Sequence, residues 1–198
     1  MGHRTAEVAL GLLILGFAGT VSAGEPRQTQ SAALRVLVIE EAHVRPEVLR
    51  AAEDDAGAIF TAAGVQLVWV DPASGANQPF DVTVKIAPGM KPSMRPQNVS
   101  DLSLGFAAVN ATVEGRRGRL VWVLFDQVET HAQHHHIQIS RLCGLVMAHE
   151  IGHLLLPAGH SEAGLMRANW DLRTGLLAYF DEAQVREIRE RLPSVQLR

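Results

Sequence analysis

The sequence predicts an α+β fold, one twisted sheet packed on a few helices. Three observations carry that expectation. Five short runs are rich in β-branched and aromatic residues, three stretches return apolar residues at helical spacing, and the order is strand, helix, several strands, then helices. No internal repeat interrupts that order.

Residues 1–23 stand outside the fold. His3 and Arg4 precede an apolar run from Val8 to Ala18, and Val21-Ser22-Ala23 presents small residues where a signal peptidase cuts. The run is too short to span a bilayer comfortably. We therefore expect a signal peptide over 1–23 and a single domain over 24–198, secreted or periplasmic. No stable membrane association is expected after the leader is removed. About 175 residues remain, enough to bury about 70% of the unfolded chain's surface in one core.

Leu34-Arg35-Val36-Leu37-Val38-Ile39 reads as a buried strand. Pro46 then opens a helix at a favoured first-turn position, and Val48, Leu49, Ala52, Ala56, Ile59 and Phe60 form its apolar stripe. Gly64 ends it. Val65 to Val70 is a second strand, closed by a turn at Asp71-Pro72, and Phe80 to Ile86 alternates as a third. Ala87 to Ser103 holds three prolines and a glycine without periodicity, a long connection of the kind that is functional or mobile. Gly105 to Val109 is a short fourth strand, Glu114 to Gly118 a solvated turn with a basic tip, and Leu120 to Phe125 a fully buried central strand. His131, His134, His135 and His136 are expected on a solvated loop, because consecutive imidazoles there would diverge from any shared metal. A helix follows over roughly Ile139 to Leu156, ended by Pro157. The last helix spans about Asp181 to Leu192.

The chemistry concentrates in His149-Glu150-Ile151-Gly152-His153 and in His160-Ser161. Residues four apart on a helix share a face, so His149 and His153 can aim two imidazole nitrogens at one ion. A catalytic zinc site needs three protein ligands and an open position, and His160 is the nearest candidate for the third. Glu150, fixed beside the first ligand, can hold and deprotonate a water at the metal without itself being a ligand. The expected cofactor is Zn2+. The net charge of −3 and the lack of a basic stripe argue against nucleic acid as a partner. Cys143, the single cysteine, sits in the same helix and reads as a small buried thiol.

Met147 to Trp170 resembles the metzincin clan of zinc endopeptidases, which carry two His and a Glu on an active-site helix, a turning Gly and a third His. In that resemblance Gly164-Leu165-Met166 is the methionine turn under the metal, and Ser161, Ile151 and Gly152 are similar to matrixin-type members. It implies a twisted mixed sheet packed on the active-site helix and an N-terminal helix, with a C-terminal helix after the methionine turn. It also implies a zinc endopeptidase acting on peptide or protein substrates, with Glu150 as general base and His149, His153 and His160 as ligands. Gly105 to Val109 would be the sheet edge above the cleft, Met166 to Trp170 a pocket wall, and Tyr179 a candidate helper in the transition state.

One departure stands out. The clan places five residues between its second and third His, with Gly at the third of them. Here there are six, and Leu156 holds the glycine's place. Pro157 and Gly159 can build a longer exit that still returns His160 to the metal. Two other readings stay open: a zinc hydrolase whose third ligand is a carboxylate, from Glu162, Asp171 or Glu182, and an exported zinc-binding protein without turnover.

Overall fold

The computed structural model describes residues 32–70, 79–90, 103–113, 116–172 and 178–192, with backbone only at 109–113 and 116–118. The expected leader, the turn at Asp71-Pro72 and most of the proline-bearing connection lie outside the described residues. Nine elements follow in chain order: β1 (Ala32–Glu40), α1 (Pro46–Ala62), β2 (Val65–Val70), β3 (Val82–Ala87), β4 (Gly105–Val113), β5 (Arg116–Leu124), α2 (Phe125–His135), α3 (Ile139–Leu155) and α4 (Glu182–Arg191). No described helix is long and apolar enough to cross a membrane.

The five strands form one sheet in the order β2-β1-β3-β5-β4. Four run parallel, and β4 joins antiparallel to β5 as an edge strand. β1 alternates Leu34, Val36 and Val38 toward the helices with Arg35 toward solvent. On the outer face Lys85 of β3 lies over the Trp122 ring of β5 at 4.8 Å, and Trp122 stacks on Phe106 of β4 at 5.8 Å. Such a cross-strand ladder shields that face of the sheet.

Helix α3 is apolar nearly all round, because it runs through the centre of the domain; every residue from Leu142 to Gly152 is buried. It crosses α1 at unusually close range. A Cβ on Gly144 would stand 2.6 Å from the carbonyl oxygen of Ala52, so only glycine permits the approach. Arg141 of α3 pins the crossing to Asp55 of α1 at 2.6 Å. Helix α1 ends at Gly64, which takes φ +77, and Arg189 of α4 donates to the Ala63 carbonyl oxygen at 2.7 Å. The start of α4 is a capping box: Asp181 accepts from the Gln184 N–H, and Gln184 accepts from the Asp181 N–H.

Three expectations are corrected. The His131-to-His136 stretch is not a loop: His131, His134 and His135 belong to α2, whose buried residues are Val128 and Ala132, and only His136 leaves it, at φ 56. The basic turn is also shorter than expected, since Arg116 and Arg117 already belong to β5 and pair with Val113 and Thr112. Phe125, expected to end the last strand, instead begins α2.

Candidate metal centre

The centre is built from one helix and the loop that follows it. His149, Glu150 and His153 lie on the face of α3 that looks past Gly105 of β4. A Cβ on Gly105 would stand 3.0 Å from the Glu150 Cγ and 2.6 Å from the Trp122 carbonyl oxygen. The glycine thus lets the edge strand lie directly over the glutamate. Leu156 ends α3 with extended backbone, φ −110 and ψ 162, as a residue preceding proline should. The positive φ that the resemblance expects at position 156 is instead found at Gly159, φ +119. The longer exit therefore turns three residues later, and it still brings His160 back over the helix.

The result is a convergence of three imidazoles. The ring centroids of His149 and His153 are 4.6 Å apart, those of His153 and His160 4.8 Å, and those of His149 and His160 5.5 Å. One nitrogen from each lies within 4.8 Å of the others, and these three residues are the group among the described residues that could hold a metal ion. Glu162, Asp171 and Glu182 are not part of it. The Nε2 atoms of His149 and His153 are 3.0 Å apart. Nitrogens bound tetrahedrally at zinc are about 3.3 Å apart, given Zn–N bonds of about 2.0–2.1 Å, so the donor set fits a small cation that prefers nitrogen.

The ligand orientation is held from behind. His149 donates its Nδ1–H to the Leu165 carbonyl oxygen at 2.8 Å, which leaves Nε2 with a free lone pair toward the other imidazoles. Trp170 donates Nε1–H to the same oxygen at 3.0 Å and meets the His149 ring edge-on at 5.2 Å. Leu165 is in turn fixed by its own N–H, which donates to the Tyr179 carbonyl oxygen at 2.9 Å. The loop from Ser161 to Met166 closes on itself through the Ser161 N–H to the Met166 carbonyl oxygen, 2.8 Å. Gly164 turns it at φ +72. Met166 is buried under α3; a Cβ on Gly152 would sit 2.6 Å from its Sδ. Methionine fills that irregular gap as a packing residue.

Burial sets the protonation states. Among the described residues the buried polar side chains are Thr83, His149 and Glu150. Burial pushes His149 down to about 4, the nearby His160 adding to the effect against the Leu165 hydrogen bond. Burial likewise takes His153 down to about 4, helped by His149 and His160. Both imidazoles are therefore neutral at neutral pH, the form that ligates metals. Burial alone raises the Glu150 carboxyl to about 8. A dication among the imidazoles would pull it the other way.

The pocket wall expected over Met166 to Trp170 is found at Arg167 to Trp170, which line a cleft of about 680 Å3 with Glu150 and the three imidazoles. Two features of the site have no signature in the sequence. One is that His131 of α2 lines the same cleft. The other is the Leu165 carbonyl, a backbone group that anchors His149. Tyr179 does not line this cleft: its ring packs against Gly164 and is otherwise exposed. Cys143 is buried and lies outside the centre, with its thiol pushed up to about 12 by burial.

No protein-family model matches the chain, and no curated protein sequence matches it. Among solved structures, its fold is similar to that of metalloproteinase-II from Bacteroides fragilis, with a TM-score of 0.50 and 14% identity. The similarity covers 84% of this chain and 55% of that one, so the chain spans about half the length of the protein it resembles.

Proposed function

We propose that this protein is an exported zinc-dependent endopeptidase of metzincin type, with His149, His153 and His160 as ligands and Glu150 as general base. The observation that carries the reading is the convergence of the three imidazole nitrogens in an open cleft with a carboxylate beside the first of them. A purely structural zinc site is usually closed by a fourth protein ligand and has no use for a base. The fold likeness to a metalloproteinase supports this, as does the loop over Gly164-Leu165-Met166, whose Met166 is buried under α3. The chemistry a bound zinc ion supplies is Lewis acidity toward a carbonyl and toward water.

The residues do the rest. β4 is an edge strand whose Gly105 lies over Glu150, so an extended peptide added along it passes its carbonyl groups above the glutamate. Glu150 takes a proton from the attacking water and hands it to the leaving amine. Its burial keeps bulk water from competing for that proton. Leu165 and Trp170 hold His149 in the orientation and tautomer that ligation needs. The apolar run from Val8 to Ala18 and the small residues Val21-Ser22-Ala23 support export to the cell exterior or the periplasm, and N-terminal sequencing of exported material should then begin near Gly24.

Hydrolysis of casein by the zinc-loaded protein, with and without a chelator, tests the reading. Glu150→Gln should retain zinc and lose about 10²–10⁴-fold in rate. Undiminished hydrolysis in that variant removes Glu150 from the mechanism, and no chelator-sensitive hydrolysis by the wild type removes the peptidase.

A further inference from the structure

We propose that Arg167 makes the cleft selective for peptides that carry a carboxylate beside the bond to be cut. The proposal rests on the peptidase reading and names the substrate class of the same site. Ser161, directly after the third ligand, donates its N–H to the Met166 carbonyl oxygen, and it forms a parallel bridge with Arg167. The backbone of Arg167 is therefore fixed to the wall that carries His160. Arg167 lines the cleft with Asn169, Trp170 and Leu172.

The charge balance of that cleft is uneven. Arg35, Arg141 and Arg191 are each paired with a carboxylate, at Asp81, Asp55 and Glu187. Arg167 is exposed and takes part in none of the ion pairs among the described residues. The one carboxylate among the lining residues, Glu150, is buried on the cleft floor and is occupied by the reaction. With a divalent ion among the imidazoles the cleft is net positive, and Arg167 is its fixed cation. A concave site of one sign raises the local concentration of oppositely charged substrate. A guanidinium also offers a planar fork that a carboxylate fills with two parallel hydrogen bonds. The carboxylate can be an Asp or Glu side chain or a free C-terminus, since the recognising chemistry is shared.

The test is a set of end-capped neutral peptides with one Glu walked through successive positions around the scissile bond, each with a Gln twin. An uncapped version of the plain peptide separates a terminal carboxylate from a side chain. For the zinc-loaded wild type we expect kcat/KM about tenfold higher for one Glu peptide, or for the free acid, than for its neutral twin. That ratio should fall to near one in Arg167→Gln and below one in Arg167→Glu. The same preference should appear in Kd for the Glu150→Gln protein, which requires no turnover. Ratios near one in the wild type for every peptide, in rate and in Kd, overturn the proposal, as does a preference that survives Arg167→Gln. A Kd preference lost in Arg167→Gln without cleavage of any peptide upholds the carboxylate site and sinks the peptidase reading instead.

Discussion

His149 and Trp170 donate to one oxygen, the carbonyl of Leu165, at 2.8 and 3.0 Å, with their rings edge-to-face. The tryptophan thereby positions the acceptor that orients His149, the first of the three imidazoles that could hold a metal ion. Losing a hydrogen-bond partner of a ligand typically costs about 10–100-fold in metal affinity. Trp170 packs edge-on against the imidazole but hydrogen-bonds only the Leu165 carbonyl, so Trp170→Phe should weaken zinc binding by about tenfold, at the low end of that range. Competition against a chelator of known affinity measures it. An unchanged zinc Kd would show that Leu165 holds its place without the indole.

The close crossing of α1 and α3 separates two glycines that look alike in sequence. A Cβ at Gly144 meets the backbone oxygen of Ala52, which cannot swing aside, whereas one at Gly57 meets nothing within 4 Å. Gly144→Ala should destabilise the fold by about 1–3 kcal/mol through overpacking. Gly57→Ala, in the interior of α1, should stabilise it by about 0.4–1 kcal/mol by restricting the unfolded chain. Urea denaturation of both variants decides the matter, and equal effects would refute the tight crossing.

Much of this architecture was legible because apolar spacing is dictated by burial. β2 and the start of α1 fall where the pattern of Val65 to Val70 and Pro46 puts them. α2 was hidden because only Val128 and Ala132 are buried on it, while His131, His134 and His135 broke any visible stripe. The basic start of β5 has the composition of a turn, since antiparallel pairing with β4 is a tertiary fact that Arg116 and Arg117 do not announce. The three imidazoles and Glu150 were visible from side-chain chemistry alone. The role of the Leu165 carbonyl depends on how the loop after His160 folds back, and the placing of His131 in the cleft on how α2 packs against α3.

Cys143 gives a pH signature remote from the metal. Burial, with a smaller effect of Glu53, lifts its thiol from the ordinary 9.0 to about 12. The folded chain therefore keeps this proton where the unfolded chain has lost it. The effect on stability is absent below pH 9 and grows as pH rises from 9 toward 12, by at most about 1.4 kcal/mol per pH unit. Wild type should lose stability faster than Cys143→Ala over that interval. A thiol reagent at pH 8 should label only the unfolded protein. Rapid labelling of the native chain would contradict the buried assignment.

The central claim is that His160, reached by a turn at Gly159, completes the metal site. Zinc titration of the wild type and of His160→Ala, Glu162→Ala and Asp171→Ala tests it most directly. The account predicts one zinc per chain in the wild type. In His160→Ala, affinity should fall by more than the ~100-fold that loss of a ligand's hydrogen-bond partner costs. Both carboxylate variants should bind like the wild type. Wild-type protein that takes up no zinc, or normal binding in His160→Ala beside a loss in either carboxylate variant, would contradict it.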